Sequence, residues 1–368
     1  MSNSSTFDLI TVDELVARLD DESELFLLDV REPDEFAAWK IPGAVNIPLG
    51  DLANRLDEIP EHRSVISICA RGARAEQAAV VLADHHRSSR VLDGGMASWG
   101  RAYDVVEIPL RGALVTQIRR RGKGCLSYVI GDDDKAVVID PSTDLDRYLA
   151  VAAEHGYAIT HVFDTHLHAD HLSGARELAA ATGAVLVLNP ADPFNYEFTP
   201  IRDGLTVPIS DNLHLVVSAV TTPGHTEGST VYQLGDQALF TGDTLFLESV
   251  GRPDLADHAE PFARSLYRSL HDVVLPLNDD LLIFPAHYGD AVDVHAGVPV
   301  TRRLGELRRE LPALAYSEED FVQWAISRVT DRPPNYVEIV KFNAGRSALD
   351  IAELQQLELG PNRCAIAS

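Results

Sequence analysis

The 368-residue sequence predicts an α/β protein that folds as two domains. Its length is sufficient for two domains of ordinary size, each with its own apolar core. The first hundred residues alternate short apolar runs with helical segments, which is the rhythm of a small parallel α/β domain. From residues 105–112 onward the pattern changes to apolar β-type runs joined by polar turns, which indicates a second domain that contains hairpins.

The first domain is predicted to begin with a helix over 12–19. Thr11 and Glu14 have the spacing of a capping box at the start of this helix. The next apolar run, LFLLDV, is short and uninterrupted, as expected for a strand that is buried on both faces. In chain order, the predicted elements after the first helix are strands at 25–30 and 64–68, a helix at 74–86 and a strand at 89–95.

The second domain is predicted to contain a hairpin at 125–140, where two apolar runs flank the polar turn GDDDK. The predicted elements after this hairpin are a helix at 143–155 and strands at 159–163, 213–220, 229–234, 237–242 and 280–287. We place the boundary near 105–112, and we assign residues 1–108 to the first domain and residues 109–368 to the second.

The chain carries a formal net charge of -25, because 56 acidic residues outnumber 31 lysines and arginines. Such an excess argues against a nucleic-acid partner. The three cysteines, Cys69, Cys125 and Cys364, are odd in number and far apart, so a reducing, cytoplasmic compartment without a disulfide framework is predicted. We assign Cys125 to the core, the alternative being a thiol that lines the pocket, and we assign no role to Cys364. Neither a signal peptide nor an apolar run long enough to cross a membrane is predicted.

The first candidate site is the loop CARGAR at 69–74, which follows the strand at 64–68 and precedes a helix. Backbone N–H groups at such a junction can point at one sulfur atom, and the helix N-terminus with Arg71 and Arg74 favours a thiolate or a bound anion. Gly72 permits the tight turn. The loop therefore predicts a cysteine that carries sulfur as a persulfide, or else a phosphate-binding cysteine.

Three segments in order resemble a rhodanese domain: LLDVREPDEFAAWKIPGAVNIPL, the CARGAR loop and VLDGGMASWG. The resemblance covers roughly residues 8–103. It implies that Cys69 carries the transferred sulfur. The other loop residues, which would cradle the persulfide, are Ala70, Arg71, Gly72, Ala73 and Arg74. The resemblance also implies that Asp29 and Arg31 support the loop, the alternative being a surface salt bridge between the two.

The second candidate site is the stretch THLHADH at 165–171. It places His166, His168, Asp170 and His171 at positions i, i+2, i+4 and i+5, a spacing that brings their donor atoms to one point where a strand ends and a helix begins. Three further potential ligands, each at the end of a β-type run near Gly or Pro, are His225, Asp243 and His287. Together these seven residues predict a metal site.

This set of residues resembles the metallo-β-lactamase fold, an αβ/βα sandwich with its metals at one edge, from about residue 112 to beyond residue 290. Persulfide dioxygenases, one group on this fold, hold a single ferrous iron by two histidines and one aspartate. The resemblance implies that His166, His225 and Asp243 bind Fe(II) here and leave positions open for substrate and O2. The residues that would orient these ligands, or bind a second metal in a two-metal enzyme, are His168, Asp170, His171 and His287.

The segment GDTLFLESVGRPDLAD at 242–257 resembles the persulfide dioxygenases more than the other branches of the fold. The resemblance implies that Arg252 holds substrate with support from Asp254, the alternative being a structural salt bridge between them. The other substrate contacts that it implies are Thr226, Tyr288 and Arg308.

Together the two sites predict an iron-dependent persulfide dioxygenase with rhodanese activity. The expected small-molecule partners are a thiol persulfide such as glutathione persulfide, O2, and thiosulfate or sulfite. Oxidation of the persulfide would give sulfite, and Cys69 would transfer sulfane sulfur within the same chain. Neither a nucleic acid nor a membrane is expected as a partner, and the resemblance leads us to expect a homodimer.

Two other functions are compatible with the sequence. A thioester hydrolase of the glyoxalase II type with a rhodanese appendage would hold two zinc ions and use no O2. A persulfide sensor or sulfur carrier would bind sulfur at Cys69 and hold its metal in a closed coordination shell.

Overall fold

The computed structural model describes residues 7–19, 25–202, 205–209, 214–217, 221–253, 259–289, 292–329, 335–347, 349–361 and 364. Two compact units divide them. The first takes the described residues within 1–104, 120–123 and 359–361, and the second takes those within 105–119, 124–358 and 362–368. Among the described residues, no helix is both long and apolar enough to span a bilayer.

The first unit is an α/β domain built on one parallel sheet. The strands of this sheet are β1 (Asp8–Ile10), β2 (Leu25–Asp29), β3 (Val45–Asn46), β4 (Ser64–Ile68) and β5 (Ser89–Leu92). They pair in parallel in the order β1-β5-β4-β2-β3. The helices are α1 (Val12–Arg18), α2 (Pro33–Ala38), α3 (Ala73–Asp84) and α4 (Gly95–Trp99), with 3-10 turns at Leu52–Asn54 and Leu56–Glu58. At the start of α1 the Thr11 hydroxyl accepts a hydrogen bond from the Glu14 N–H over 3.2 Å, as the capping spacing predicts.

The sheet of the first unit is covered on both faces, because its strands alternate between two apolar clusters. Phe26 and Leu28 of β2 belong to one cluster, whereas Leu25 and Leu27 belong to the other. Neighbouring residues of a strand point to opposite faces of the sheet, so each cluster fills one face. The predicted burial of this strand on both faces is confirmed.

The second unit contains two sheets. The strands of the first sheet are β6 (Tyr103–Leu110), β7 (Ala113–Arg120), β8 (Cys125–Asp132), β9 (Lys135–Ile139), β10 (Ala158–Phe163), β11 (Val185–Leu188) and β12 (Thr199–Pro200), and they lie in reverse chain order from β12 to β6. The strands of the second sheet are β13 (Thr206–Pro208), β14 (His214–Val217), β15 (Tyr232–Leu234), β16 (Ala238–Gly242), β17 (Leu282–Pro285) and β18 (Arg302–Arg303), and they lie in chain order.

Aromatic side chains pack these two sheets face to face. Tyr128 of β8 lies edge-on to Phe240 of β16 and Phe284 of β17, with ring centroids 5.0 and 5.5 Å away. Phe163 of β10 and Tyr232 of β15 make a further contact across the sheets at 4.9 Å. The resulting core is continuous between the sheets. This arrangement is the αβ/βα sandwich that the sequence predicts.

The helices of the second unit flank its sheets. They are α5 (Leu145–His155), α6 (Ala175–Thr182), α7 (Ala259–Arg268), α8 (Leu304–Glu310), α9 (Glu318–Ser327), α10 (Tyr336–Asn343) and α11 (Ile351–Leu357), with a π-helical turn at Ser269–Val274 and a 3-10 turn at Pro312–Ala315. Helices α5 and α6 pack on the first sheet, and Ala263 and Leu266 of α7 join the core beside the second.

The carboxyl ends of neighbouring strands bring the predicted site residues together. Strands β9 and β10 run parallel, and the THLHADH stretch follows β10 directly. Strands β16 and β17 also run parallel, so Asp243, which follows β16, and His287, which follows β17, emerge at the same edge of their sheet. Loops at the ends of parallel strands are a common place for a functional site.

Several predicted elements differ in length from the observed ones. The predicted strand at 229–234 shortens to Tyr232–Leu234, because the Thr230 N–H donates to the Thr165 carbonyl in the neighbouring loop over 2.8 Å. The predicted helix at 74–86 ends at Asp84, and His86 takes the left-handed conformation with φ 59°. Of the predicted strand at 213–220, positions 214–217 form β14, and the others lie outside the described residues.

Candidate metal centre and sulfur-transfer loop

The loop at 69–74 wraps its backbone around the Cys69 sulfur. Cys69 directly follows β4 and is 1% exposed, and the Gly72 N–H lies 3.1 Å from its Sγ. Gly72 has φ 111°, a conformation that favours glycine. The start of α4 holds the loop from outside, since the Met96 N–H donates to the Cys69 carbonyl over 2.8 Å. A thiolate or persulfide at Cys69 therefore has a preformed N–H donor.

Glycine at 95 allows the close approach of α4 to this loop. A Cβ at Gly95 would lie 2.2 Å from the Cys69 carbonyl oxygen and 3.0 Å from the Arg71 nitrogen. Because these are backbone atoms, no side-chain rotation could relieve the clash. Gly95, the last residue of the VLDGG segment, is thus required for the close packing of α4 on the loop.

The two arginines of the loop have different surroundings. Arg74 Nη1 and Nη2 each donate to the Glu35 carboxylate over 2.7 Å, and this pairing lowers the pKa of Glu35 to about 2. Arg71 is exposed at the surface. Arg74 therefore links the loop to α2, and the backbone N–H of Gly72 contacts the Cys69 sulfur.

The Asp29 and Arg31 side chains form a buried ion pair, so the alternative of a surface salt bridge is wrong. Asp29 is 0% and Arg31 is 4% exposed, and Arg31 Nη2 lies 2.7 Å from Asp29 Oδ2. Between them, the Val30 N–H donates to the Ile68 carbonyl over 2.9 Å, one residue before Cys69. The pair thus fixes the end of β2 beside the start of the loop at 69–74.

Three electron-pair donors converge in the second unit. His166 Nε2 and His225 Nε2 lie 3.6 and 3.3 Å from Asp243 Oδ2. All three atoms are buried and have no hydrogen-bond partner. Buried lone pairs that face one another without a proton between them are costly, and a divalent cation removes that cost. The residues present therefore fit a metal ion held by two imidazoles and one carboxylate.

Outer hydrogen bonds fix the tautomers of the two histidines. His225 Nδ1 lies 3.0 Å from the Arg252 carbonyl, which can only accept, so the proton sits on Nδ1 and leaves Nε2 free to bind metal. His166 Nδ1 lies 2.9 Å from the Thr165 hydroxyl, which itself donates to Asp140 over 3.0 Å. Burial lowers the pKa of His166 and of His225, which keeps both rings neutral and able to coordinate a metal.

The third donor, Asp243, is held as a carboxylate. Its Oδ1 lies 2.7 Å from His287 Nδ1, which leaves Oδ2 to face the two free imidazole nitrogens. Burial alone would raise the pKa of Asp243, but the neighbouring His287 and His166 hold it well below its ordinary value. The backbone packs closely here, since a Cβ at Gly251 would lie 2.0 Å from the Asp243 carbonyl oxygen.

His168 turns its Nε2 toward a different group, and its Nδ1 is buried without a hydrogen-bond partner among the described residues. Its Nε2 lies 3.1 Å from Asp140 Oδ1 and 3.8 Å from Asp164 Oδ1, so it joins a carboxylate cluster behind the metal-binding residues. Burial raises the pKa of Asp164 to about 6. The Nε2 atom of His168 therefore belongs to this carboxylate cluster and not to the group formed by His166, His225 and Asp243.

A second group of potential ligands lies beside the first. It comprises Cys125, Asp170, His171 and His287, all buried, with donor atoms within 4.8 Å of one another. His287 Nε2 lies 3.0 Å from Asp170 Oδ2, and His171 Nδ1 lies 3.2 Å from Asp170 Oδ1. Burial alone would raise the pKa of Cys125, but His287 lowers it to about 6. The group can hold a second cation or a thiolate paired with protonated imidazoles.

The structure buries Cys125 and Cys364, and it places both beside the potential metal ligands. Cys125 is buried, yet it lies among charged groups because β8 runs past the carboxyl end of β17, where Cys125 bridges to His287. Cys364 brings its sulfur within 4.8 Å of donor atoms of Asp243 and His287. Neither cysteine has a sequence motif around it, so only the fold reveals these neighbours.

The residues predicted to contact substrate lie in different surroundings. Thr226 is 9% exposed and its hydroxyl donates to Asp192 Oδ2 over 3.1 Å. Arg252 and Tyr288 are both buried. The Arg252 carbonyl lies 3.0 Å from His225 Nδ1, and Tyr288 directly follows His287 in the chain. Arg308 instead lies 2.7 Å from Asp279 and donates to the carbonyls of Leu275 and Leu277, so the structure gives it a role in helix packing. Asp254 lies outside the described residues.

Asp192 is a functional residue that the sequence did not indicate. Its Oδ2 accepts from the Leu167 N–H over 2.8 Å, and its Oδ1 accepts from the Gly228 N–H over 2.9 Å. It thereby ties the loop that carries His166 to the loop that carries His225. A carboxylate after a β-strand was the available signal, but its partners lie 25 and 36 residues away in the chain.

Comparisons with known proteins agree with this architecture. The rhodanese-like domain model matches residues 11–102, and the metallo-beta-lactamase superfamily model matches residues 120–287. Human persulfide dioxygenase ETHE1, mitochondrial, is 31% identical over 202 residues, which are 54% of this chain and 74% of the relative. The hydroxyacylglutathione hydrolase of Aliivibrio fischeri strain MJ11 is 32% identical over 157 residues, which are 42% of this chain and 58% of the relative.

A solved structure supports the same relationship. The crystal structure of ETHE1 from Myxococcus xanthus is 31% identical, aligns with a TM-score of 0.56, and covers 63% of this chain and 99% of its own. The chain therefore belongs to the persulfide dioxygenase family of the metallo-β-lactamase superfamily, and it carries a rhodanese-like domain in addition.

Proposed function

We propose that the chain is an iron-dependent persulfide dioxygenase that also transfers sulfane sulfur at Cys69. The observation that carries this proposal is the convergence of His166 Nε2, His225 Nε2 and Asp243 Oδ2, which are buried and unpaired. Two imidazoles and one carboxylate are the donor set of non-haem ferrous oxygenases. The substrate class is a low-molecular-weight thiol persulfide such as glutathione persulfide, and the other substrate is O2.

The overall reaction converts a persulfide, O2 and water into a thiol and sulfite: RSSH + O2 + H2O gives RSH and H2SO3. When bound, ferrous iron supplies open coordination positions and the electrons that activate O2. The chain holds its donor atoms ready for this ion. The Arg252 carbonyl keeps the proton of His225 on Nδ1, and His287 bonds to Asp243 Oδ1. His225 Nε2 and Asp243 Oδ2 are therefore the atoms left to bind the metal.

The site is closed to bulk water by its packing. His225 and His168 are 0% exposed, and His166 and Asp243 are each 2% exposed. In such a low-dielectric site a persulfide anion would interact strongly with a bound cation and with the buried Arg252 side chain. We assign substrate binding to Arg252, Thr226 and Tyr288 as part of this proposal.

The Cys69 loop supplies the second activity. A Cys69 persulfide would transfer its outer sulfur to sulfite, which forms thiosulfate and releases the Cys69 thiolate, or the reverse transfer would load Cys69 from thiosulfate. The Gly72 N–H, 3.1 Å from Sγ, stabilises the negative sulfur in both directions. Having both activities on one chain raises the effective concentration of sulfite near the sulfurtransferase. The cytoplasmic compartment and the homodimer stay predictions.

A two-metal thioester hydrolase is the second candidate, and the Cys125, Asp170, His171 and His287 group favours it. Two metals per chain and hydrolysis of a lactoyl thioester would support the hydrolase. One iron per chain and sulfite from glutathione persulfide would support the dioxygenase.

The proposal is tested with two variants and two assays. Asp243→Asn is expected to abolish persulfide-dependent O2 uptake and to retain thiosulfate sulfurtransferase activity, and Cys69→Ser is expected to do the reverse. If Cys69→Ser also lost O2 uptake with free glutathione persulfide, the assignment of two independent activities would be wrong.

A further inference from the structure

The described C-terminal residues of the second unit, 335–347, 349–358 and 364, contact two of the three loops that carry the metal-binding residues, the loop of His166 and the loop of Asp243. We name them the C-terminal segment. It includes α10 and α11 and lies outside the region matched by the metallo-beta-lactamase superfamily model, which ends at residue 287. Its side chains and backbone bond to the loop after β10 and to the loop after β16.

Asn343, the last residue of α10, makes the densest of these contacts. Its Nδ2 donates to the carbonyls of His168 and His171, each over 2.8 Å, and its Oδ1 accepts from the Ser173 N–H over 2.9 Å. The residue is 5% exposed. Both amide protons are therefore used to hold the backbone of the THLHADH loop.

The loop depends on such contacts because its backbone N–H groups donate to distant side chains. The Leu172 N–H donates to Glu358 Oε1 over 2.7 Å, and Glu358 is 4% exposed. The Leu172 side chain packs against Ile339 of α10, and both are fully buried. The C-terminal segment thus fixes three consecutive residues, His171, Leu172 and Ser173.

A chain of contacts connects Asn343 to a metal-binding residue. His171 Nδ1 lies 3.2 Å from Asp170, and Asp170 Oδ2 lies 3.0 Å from His287. His287 Nδ1 lies 2.7 Å from Asp243 Oδ1. A shift of the THLHADH loop would therefore move groups that orient Asp243, in addition to His166 on the loop itself.

The C-terminal segment also contacts the loop after β16. The Cys364 carbonyl accepts from the Arg252 N–H over 2.9 Å, and the Arg252 carbonyl accepts from His225 Nδ1 over 3.0 Å. The backbone of residue 364 therefore supports the group that sets the tautomer of His225.

We propose that Asn343 is a positioning residue of the metal centre, and that Glu358 and the Cys364 carbonyl complete the same support from the C-terminal segment. This inference rests on the metal-binding residues of the proposed function. Loss of the Asn343 amide protons leaves two buried carbonyls unpaired, and the loop must shift to rehydrate them. Metal affinity would then fall in a chain that is still folded.

The test compares four variants of the full chain by their affinity for Fe(II), measured anaerobically in competition with a chromophoric chelator. Asn343→Asp keeps the size and one acceptor but replaces the two N–H donors with a carboxylate oxygen, and its Kd is expected to rise by about 10- to 100-fold. Glu358→Ala removes the acceptor for Leu172 and is expected to raise the Kd, whereas Glu358→Gln keeps an acceptor and is expected to stay near the wild-type value.

Asn46 of the first unit is a matched control. Its Nδ2 also donates to two backbone carbonyls, those of Asp29 and Arg31, over 3.0 and 2.9 Å. Asn46→Asp should lower the melting temperature and leave the Fe(II) Kd unchanged. The electron paramagnetic resonance spectrum of the nitric oxide adduct provides a second readout, which should change in Asn343→Asp and stay the same in Asn46→Asp.

A folded Asn343→Asp chain with the wild-type Kd and spectrum would overturn the inference. If that variant does not fold, the Glu358 pair decides: equal Kd values for Glu358→Ala and Glu358→Gln would overturn it, and a raised value for the alanine variant alone would support it. Failure of the wild-type chain to bind Fe(II) would instead contradict the proposed function, and the inference with it.

Discussion

Gly251 gives a direct test of whether close backbone packing sets the metal affinity. A Cβ at this position would lie 2.0 Å from the Asp243 carbonyl oxygen and 3.1 Å from His225 Nδ1. Ordinary contacts of a Cβ begin near 3.4 Å, so the Gly251 backbone and Asp243 would have to separate by about 1.4 Å. That displacement exceeds what a metal–ligand bond tolerates, since accepted bond lengths vary by only about 0.2 Å.

We therefore predict that Gly251→Ala raises the Fe(II) Kd by about 10- to 100-fold, the range seen when groups that orient ligands are changed. This corresponds to about 1.4–2.8 kcal/mol of binding free energy. The assay is anaerobic chelator competition together with a thermal melt of the metal-free chain.

Gly131→Ala is the control for this prediction. Gly131 lies in β8, and a Cβ there would lie 2.2 Å from the Tyr157 ring. It should lower the melting temperature without changing the Kd. A folded Gly251→Ala chain whose Kd lies within threefold of wild type would refute the reasoning.

Three further predictions concern stability and binding. Arg308→Ala should lower the melting temperature and leave KM for persulfide unchanged, because Arg308 lies 2.7 Å from Asp279 and donates to backbone carbonyls near α8. Steady-state O2 uptake measures the KM. A tenfold rise in KM would show that Arg308 contacts the substrate, as the resemblance implies. Glu35→Gln should cost less than about 1 kcal/mol at pH 7, since the pair with Arg74 is about one-third exposed. Because Arg74 lowers the pKa of Glu35 from 4.5 to about 2, the pair stabilises the fold above pH 4.5, and this stabilisation is lost as the pH falls toward 2. Acid titration followed by circular dichroism should show a smaller loss of stability over that range in the variant than in the wild type. Identical curves would contradict the pairing. Chelation of the metal should lower the melting temperature, and Fe(II) at about 100 times its Kd should restore about 2.7 kcal/mol of the free energy of unfolding. A melting temperature that changes with neither treatment would argue against a resident metal.

The fold could be predicted where burial leaves an uninterrupted apolar run. The predicted strand at 64–68 coincides with β4, and the predicted hairpin at 125–140 contains β8 and β9. By contrast, β6 was not predicted as a strand, because it mixes buried with exposed positions and contains Pro109. Local sequence carries little signal for a strand whose partners supply its burial.

The candidate site could be predicted as a set of residue types but not as a set of contacts. The spacing of THLHADH and the Gly- or Pro-flanked residues after later strands indicated which side chains could meet at a metal. The spacing could not show that His168 faces Asp140 while His166 faces Asp243. That separation depends on side-chain rotation within the folded loop.

The supporting residues were beyond sequence reasoning for a different reason. Asp192, Asn343 and Cys364 bond to backbone groups that lie between 25 and 175 residues away in the chain. A side-chain bond to a distant carbonyl has no periodicity and no characteristic neighbour. Only the topology of the sandwich, with strand ends gathered at one edge, brings these groups together.

The most direct test of the central claim is O2 consumption by the anaerobically purified, Fe(II)-loaded chain when it is given glutathione persulfide. The account predicts uptake of one O2 for each sulfite formed, and no uptake by the Asp243→Asn chain. No uptake by the wild-type chain, with hydrolysis of a lactoyl thioester and two metals per chain in its place, would contradict the account and establish the hydrolase.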